Sequence, residues 1–330
     1  MKNMRTREIL FKLNLEGNGI VNFDDTAQKI FLSKNCQWQE NYKNDNLKFS
    51  KKAFYKEKDN DGNEVTKYKV KIDSTCLRHA LFERDCKISN PKVMMNDELF
   101  AYYVSSIVAI VRGFMYTNKK DIGFARSSAI TITSAIENGG AVPYMEVHSN
   151  YCVDGTSVRE EKDDKKKTSF YYSENVGDTF YEAKGAIDLS KLQFMSCDPQ
   201  FGRMSFKSEW IEGENNLFEK VFKEHYGQVP YEVGYYNTNT GTYRSEFSEH
   251  GIKFNDQFVR YLLKEILQRL ATLKINRSMG YANVCALQCK AVTDGFSTFD
   301  DNGWFNIENE EDINQFISQF EIDDIYVKTE

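Results

Sequence analysis

The sequence predicts a mixed α+β domain built on an antiparallel sheet, and three observations carry that prediction. Two stretches, residues 11–23 and 48–72, alternate apolar and polar side chains around turn signals, which is the period of a half-buried strand. Two others, residues 97–116 and 255–273, repeat apolar residues at three-to-four spacing behind an asparagine, the period and start signal of amphipathic helices. Only 4 prolines occur in 330 residues and no Pro-rich or Gly/Ser-rich linker divides them, which favours one continuous domain with insertions.

The elements follow in order. Phe11, Leu13 and Leu15 alternate with Lys12, Asn14 and Glu16, and Ile20, Val21 and Phe23 resume the apolar pattern. Between them lie Gly17 and Gly19. A dinucleotide loop needs a third glycine and a helix start, whereas β-branched residues follow here, so a bend or bulge in a sheet is expected. Residues 48–72 read as a hairpin turning at Asp61-Gly62. Its return strand places Tyr68, Val70 and Ile72 on one face and Lys67, Lys69 and Lys71 on the other. "CLRHALFERD", Cys76 to Asp85, is a short helix carrying Arg78, His79 and Arg84.

The helix over 97–116 has Asn96 as its cap, Leu99, Tyr103, Ile107, Ile110 and Phe114 inward, and a C-terminal break at Arg112-Gly113. Residues 159–168 are a charge run without periodicity and hence a loop. Asn255 caps the second helix, with Phe258, Leu262, Ile266, Leu270 and Leu273 inward, and "GYANVCALQCKAV" is a final strand.

Composition excludes several function classes. Hydrophobic residues at 41% and aromatics at 14% supply a core and argue against global disorder. No apolar run approaches the roughly 18 residues of a membrane span, and the N-terminus lacks the apolar region of a secretory signal. The 7 cysteines are scattered without a CxxC, as expected of reduced thiols in the cytoplasm. The 4 histidines show no HxH or HxxxH spacing, so no metal is expected, nor any cofactor. GxSxG, HExxH and P-loop signatures are absent. The acid pairs Asp24-Asp25, Asp163-Asp164, Asp300-Asp301 and Asp323-Asp324 read as solvated turn residues. Nothing marks an enzyme.

Charge is unevenly spread. Residues 291–330 hold 11 acids and one lysine, a net of −10, so residues 1–290 hold 38 acids and 42 bases, a net of +4. The chain's −6 therefore belongs to an acidic C-terminal extension, and the body is mildly basic. Within that body Lys48, Lys51, Lys52, Lys56 and Lys58 interleave with Phe49, Phe54 and Tyr55, a combination suited to phosphates and to the faces of single-stranded bases.

Taken together, "LEGNGIVNF", "CLRHALFERD", "SSIVAIVRGFMY", "ARSSAITITSAIE", "KTSFYYSENVGDTFYEAKGAIDLSKLQFMSCDPQFGR" and "LQRLATLKINRSMGYANV" resemble, in order and spacing, the Cas-seven backbone subunit of type I CRISPR surveillance complexes. The compact variant branch of subtype I-F is the nearest match. The likeness runs from about residue 9 to 290; residues 24–75 and the last forty have no clear counterpart. The resemblance implies an RRM-like (ferredoxin-like) palm over 1–290 with finger and thumb insertions at 24–75 and about 140–170. It implies copies lined along a CRISPR RNA, gripping its backbone while guide pairing reads target DNA, with end-capping and guide-processing subunits as further partners and no membrane. It implies no cutting by the subunit itself.

Positions matching the family pattern are Arg78, His79, Arg84, Arg112, Arg126 with Ser127 and Ser128, and Arg277 with Ser278. Lys67, Lys69 and Lys71 are added from the hairpin reading alone. In a filament the acidic segment would pair with a neighbour's basic surface or keep free subunits off RNA. Two other readings stay open: a type III-like subunit cutting target RNA, tested at Asp24 or Asp25, and a phage-type structural or inhibitory protein using the same fold.

Overall fold

The computed structural model describes residues 5–22, 50–58, 62–83, 96–116, 123–140, 144–150, 169–199, 204–213, 216–238, 248–292, 299–300 and 302–329. β1 (Arg5–Thr6) leads into β2 (Glu8–Gly19), whose alternation buries Ile9, Phe11, Leu13 and Leu15. β3 (Lys52–Lys58) and β4 (Glu64–Ile72) form the expected hairpin, followed by α1 (Ser74–Leu81).

α2 (Asp97–Val104) begins at Asn96, whose side chain accepts from the amides of Glu98 at 2.9 Å and Leu99 at 3.3 Å. The single helix expected over 97–116 breaks there. The hydroxyls of Ser105 and Ser106 donate to the carbonyls of Tyr102 (3.0 Å) and Tyr103 (2.6 Å), the local bonding by which serine competes with a helix ladder. A π-helical turn, Val108–Arg112, follows, and the chain turns at Gly113 into β5 (Phe114–Tyr116). The break also moves the inward face. Phe100, Ala101 and Val104 are buried, and Leu99, expected inside, is 48% exposed.

β6 (Phe124–Arg126) pairs with β5, and β7 (Ile130–Ile132), β8 (Ala135–Gly140), β9 (Tyr144–Asn150), β10 (Ser169–Asn175) and β11 (Thr179–Asp188) follow. Next come α3 (Leu189–Gln193), β12 (Phe194–Ser196), α4 (Leu217–Tyr226), β13 (Tyr231–Thr238), β14 (Glu249–Phe254) and α5 (Asp256–Ala271). The chain closes with β15 (Lys274–Arg277), β16 (Gly280–Val292), β17 (Phe305–Ile307), α6 (Glu310–Ser318), β18 (Glu321–Ile322) and β19 (Tyr326–Lys328).

The main sheet runs β15-β16-β2-β11-β8-β4-β3, with β7 also on β11 and β17 on β16. Every one of these pairings is antiparallel. A second antiparallel sheet runs β12-β14-β13-β19, and β9 and β10 pair by themselves. α5 supplies much of the core. Asn255 caps it by accepting from the Phe258 amide at 2.8 Å, and Phe258, Val259, Leu262, Leu263, Ile266, Leu267 and Leu270 are buried.

The glycines of β2 have a steric role. A Cβ on Gly17 would sit 2.4 Å from the Tyr281 carbonyl, and one on Gly19 2.1 Å from that of Met279. Gly19 also has φ +77°, so both spacing and backbone require glycine there. They let β2 lie against the β15–β16 turn. β2 stays paired through both glycines, and the register shift of this pair lies instead in β16 between Val284 and Ala286, opposite Leu15 and Asn14, where Cys285 is the extra residue.

The acidic C-terminal segment is woven into the body. β18 pairs in parallel with β1, β19 joins β13, and β17 joins β16. Ile313, Phe316, Ile317, Phe320 and Ile325 are buried. Its acids meet cations of the preceding chain: Asp323 with Arg7, Asp324 with Lys253 (2.6 Å), Glu310 with Lys264 (2.6 Å) and Asp300 with Lys290.

Candidate nucleic-acid interface

α1 exists because Leu77 and Leu81 bury one side of it, and it lies beside β15 and β7. Arg78 and His79 thus stand next to the strand that ends at Arg277. Arg277 and Ser278 are exposed at the β15–β16 turn, His79 is exposed and Arg78 half-buried. Arg84 lies outside the described residues. Neither Arg78 nor Arg277 has an acidic partner among the described residues, so both guanidiniums can meet phosphate oxygens bidentately.

β4 feeds α1 through Asp73, where Lys51 and Lys71 converge, Lys71 at 3.0 Å. Burial works to raise the Asp73 pKa, but the hydrogen bonds from the two lysines win and hold it below the usual carboxylate range. Farther out, Lys67 pairs with Glu57 at 2.7 Å, and that hydrogen bond and charge raise its pKa. Lys69 has no acidic partner among the described residues. The three lysines share the face the alternation assigned them, but only Val70 and Ile72 of the opposite face are buried. The main sheet ends at that point, and the hairpin continues as a two-stranded ribbon with both faces in solvent.

That ribbon displays Phe54 (45% exposed), Tyr55, Val65 and Tyr68 (43% exposed). Phe54 and Tyr68 meet edge to face at 6.3 Å between centroids, and Lys52 Nζ lies 4.9 Å from the centre of the Tyr68 ring. Alternation alone placed Tyr68 inside. The interleaving of lysine with aromatics on both strands was the signal of a free ribbon.

A second group surrounds Gly113, which has φ +73° and leaves no room for a Cβ, 2.4 Å from the Arg126 carbonyl and 2.7 Å from the Ser128 amide. Arg112 and the run Arg126-Ser127-Ser128 are therefore neighbours. Ser128 Oγ donates to the Ile130 carbonyl at 2.7 Å and shapes the turn. Arg126 faces inward. Nε donates to the Ile110 carbonyl (2.9 Å), Nη1 to that of Phe194 (2.9 Å) and Nη2 to that of Lys191 (2.6 Å). Desolvation lowers its pKa to about 10, which still leaves it charged at neutral pH. It joins the π-helical turn, α3 and β12, beside a cavity of about 100 Å³ lined also by Ser127, Lys191, Ser196, Ser205 and Tyr326.

The described residues offer little for catalysis. No group of three or more His, Cys, Asp or Glu among them is placed to hold a metal ion. Cys197 Sγ lies 3.3 Å from His250 Nδ1, but burial pushes the thiol up to about 12, far from the thiolate a nucleophile needs. Asp24 and Asp25 lie outside the described residues. None of the described helices is long and apolar enough to cross a membrane.

The family model of Cas7fv-like proteins, type I-Fv CRISPR-associated, matches residues 6–300. The chain belongs to the Cas7fv-like family. Among solved structures, this Cas7fv-like chain is similar to a chain titled "CRISPR RNA-guided surveillance complex". That likeness has 10% identity and a TM-score of 0.39, covering 94% of this chain and 82% of that one. A second, titled "CRISPR RNA-guided surveillance complex, pre-nicking", has 9% identity and a TM-score of 0.36, covering 94% and 87%. No curated protein matches the sequence. The family match stops at residue 300, so β17, α6, β18 and β19 lie beyond it.

Proposed function

We propose that this Cas7fv-like chain is a non-catalytic backbone subunit that binds CRISPR RNA along its sugar-phosphate backbone and assembles with copies of itself. Guide pairing then reads target DNA. The family match over residues 6–300 carries the reading. Topology supports an RRM-like palm. β16, β2, β11 and then β7 with β8 lie side by side, with α1 and α2 between β2 and β7, and α3 to α5 between β11 and β16. That is the arrangement of a βαββαβ unit with its first and third strands central. The β3–β4 ribbon is its finger.

The RNA-facing residues are Arg78, His79, Arg277 and Ser278 around α1 and β15, and Lys67, Lys69 and Lys71 on the ribbon. Arg112, Ser127 and Ser128 present the turn at Gly113, with Arg126 holding that turn from within. Arg84 belongs to the same segment as Arg78. Cations and small hydroxyls of this kind grip phosphate and sugar without reading sequence. End-capping and guide-processing subunits complete the assembly in the cytoplasm.

The test is co-purification. The chain expressed with its CRISPR array should carry RNA and form species whose size follows RNA length. Affinity should fall steeply with salt as counterions are released. Recovery of an RNA-free monomer that ignores added CRISPR RNA sinks the reading.

A further inference from the structure

One face of β2 points away from the α5 core and carries Lys12, Asn14 and Glu16. Lys184 of β11 is the direct partner of Lys12, and Lys290 of β16 is paired to Leu10 one step along the same face. Three lysines therefore form a row across three adjacent strands. Trp304, Phe299 and Asp300 of the chain itself lie against them. Lys12 Nζ lies 4.4 Å from the centre of the Trp304 ring, Lys184 Nζ 6.0 Å from that of Phe299, and Lys290 binds the Asp300 carboxylate. The two rings stack on one another at 6.0 Å with 25° between their planes.

Trp304 Nε1 donates to the Asp300 carbonyl at 2.6 Å, which closes the segment on itself. β17 then fastens it to β16 through the Cys289–Phe305 pairing and a 2.8 Å bond from Gln288 Nε2 to Asn306 Oδ1. Stacked planar rings beside one anion, laid over a row of ammonium groups, are what a short run of single-stranded nucleic acid would present. Farther along the same face, at the end away from the lysines, Phe180 of β11 is paired to Glu16 and Tyr281 of β16 to Asn18, and both rings are exposed with no stacking partner among the described residues.

We infer that the open face of the main sheet is a second single-stranded nucleic-acid site, and that Phe299, Asp300 and Trp304 occupy its lysine row as an internal surrogate for a nucleotide. A strand takes the row only by displacing them, with its bases reaching Phe180 and Tyr281. Glu16 and Glu182 share the face, Glu182 at 3.1 Å from Lys184, so phosphates settle only at the lysine end. Free chain is thereby kept from indiscriminate binding, and the inference rests on the guide-binding reading for its ligand.

The test uses the full chain and a fluorescent single-stranded RNA of about 12 nucleotides. Asp300→Asn with Trp304→Ala should tighten binding about three- to tenfold, the size of a lost cation–π contact and an exposed ion pair. Adding Lys12→Ala and Lys184→Ala should abolish the gain. A folded opening variant that binds no tighter, or a gain that survives loss of the lysines, overturns the inference. Hydrogen exchange on the unaltered chain reads the same event without any substitution. Amides of 302–307 should exchange faster with saturating RNA, and unchanged protection there also overturns it. If the chain carries guide RNA while both experiments fail, only this inference falls; if it carries none, the guide-binding reading falls.

Discussion

The β3–β4 ribbon and the segment from β17 to β19 are both dense in charge, and they use it oppositely. The ribbon pairs its charges with one another, Lys67 with Glu57 and Lys56 with Glu64 at 2.7 Å each, and turns its aromatics to solvent. The C-terminal segment pairs its acids with distant cations and turns its apolar residues inward. Exposed pairs of either kind contribute about 0–1 kcal/mol, so charge does not decide which region is integral. Apolar burial decides it. The ribbon buries almost nothing past Val70, whereas Ile313, Phe316, Ile317, Phe320 and Ile325 are all inside. Arg260 reinforces the difference by donating to the Ile317 (2.9 Å) and Phe320 (3.1 Å) carbonyls that end α6.

The largest effect that would break this comparison lies in the C-terminal segment. Phe316→Ala should cost about 3–5 kcal/mol, because it empties a site between α6, β17 and α5. Urea unfolding measures it, and a loss below about 1 kcal/mol would mean that the segment is only laid on the surface. The ribbon should respond in the other currency. Phe54→Ala with Tyr68→Ala should change stability by less than about 1 kcal/mol, since neither ring is in the core, while weakening single-stranded RNA binding by about 1–3 kcal/mol per lost stacking contact. Equal binding in the double variant would reduce the ribbon to a solvated hairpin.

The smallest effect is at the ribbon's base. Asp73 has a folded pKa below its ordinary 3.8, so its contribution is present above that value and is lost as pH falls through the folded pKa. Below about pH 4 the unaltered chain should lose thermal stability more steeply than Asp73→Asn. Parallel melting curves across that range would show that Lys51 and Lys71 do not anchor the ribbon through Asp73.

Much of the fold was legible because its signals are local. Asn96 and Asn255 cap the helices that their spacing announced, β3 and β4 pair as the hairpin that the alternation announced, and the strand over 280–292 is present in full. What misled was also local. Three-to-four spacing carried the first helix past Ser105 and Ser106, where side-chain bonding ends it. The candidate site was legible as residue types but not as roles. Arg126 matches a binding pattern, yet three of its donors meet carbonyls of Ile110, Lys191 and Phe194, segments that periodicity does not connect. Lys12, Lys184 and Lys290 are far apart in sequence, and only strand pairing puts them in one row.

The sequence by itself determined the strands, the caps, the mild basicity of residues 1–290 and the family. Each depends on neighbours within a few residues or on the order of whole segments. Tertiary structure alone decided where the charges went. It placed Asp323 on Arg7, 316 residues away, set Gly19 against Met279, and laid Trp304 over Lys12. Such contacts follow from which strands pair and which faces the apolar residues must bury, and electrostatics too weak to choose the fold then settles into the positions that burial provides.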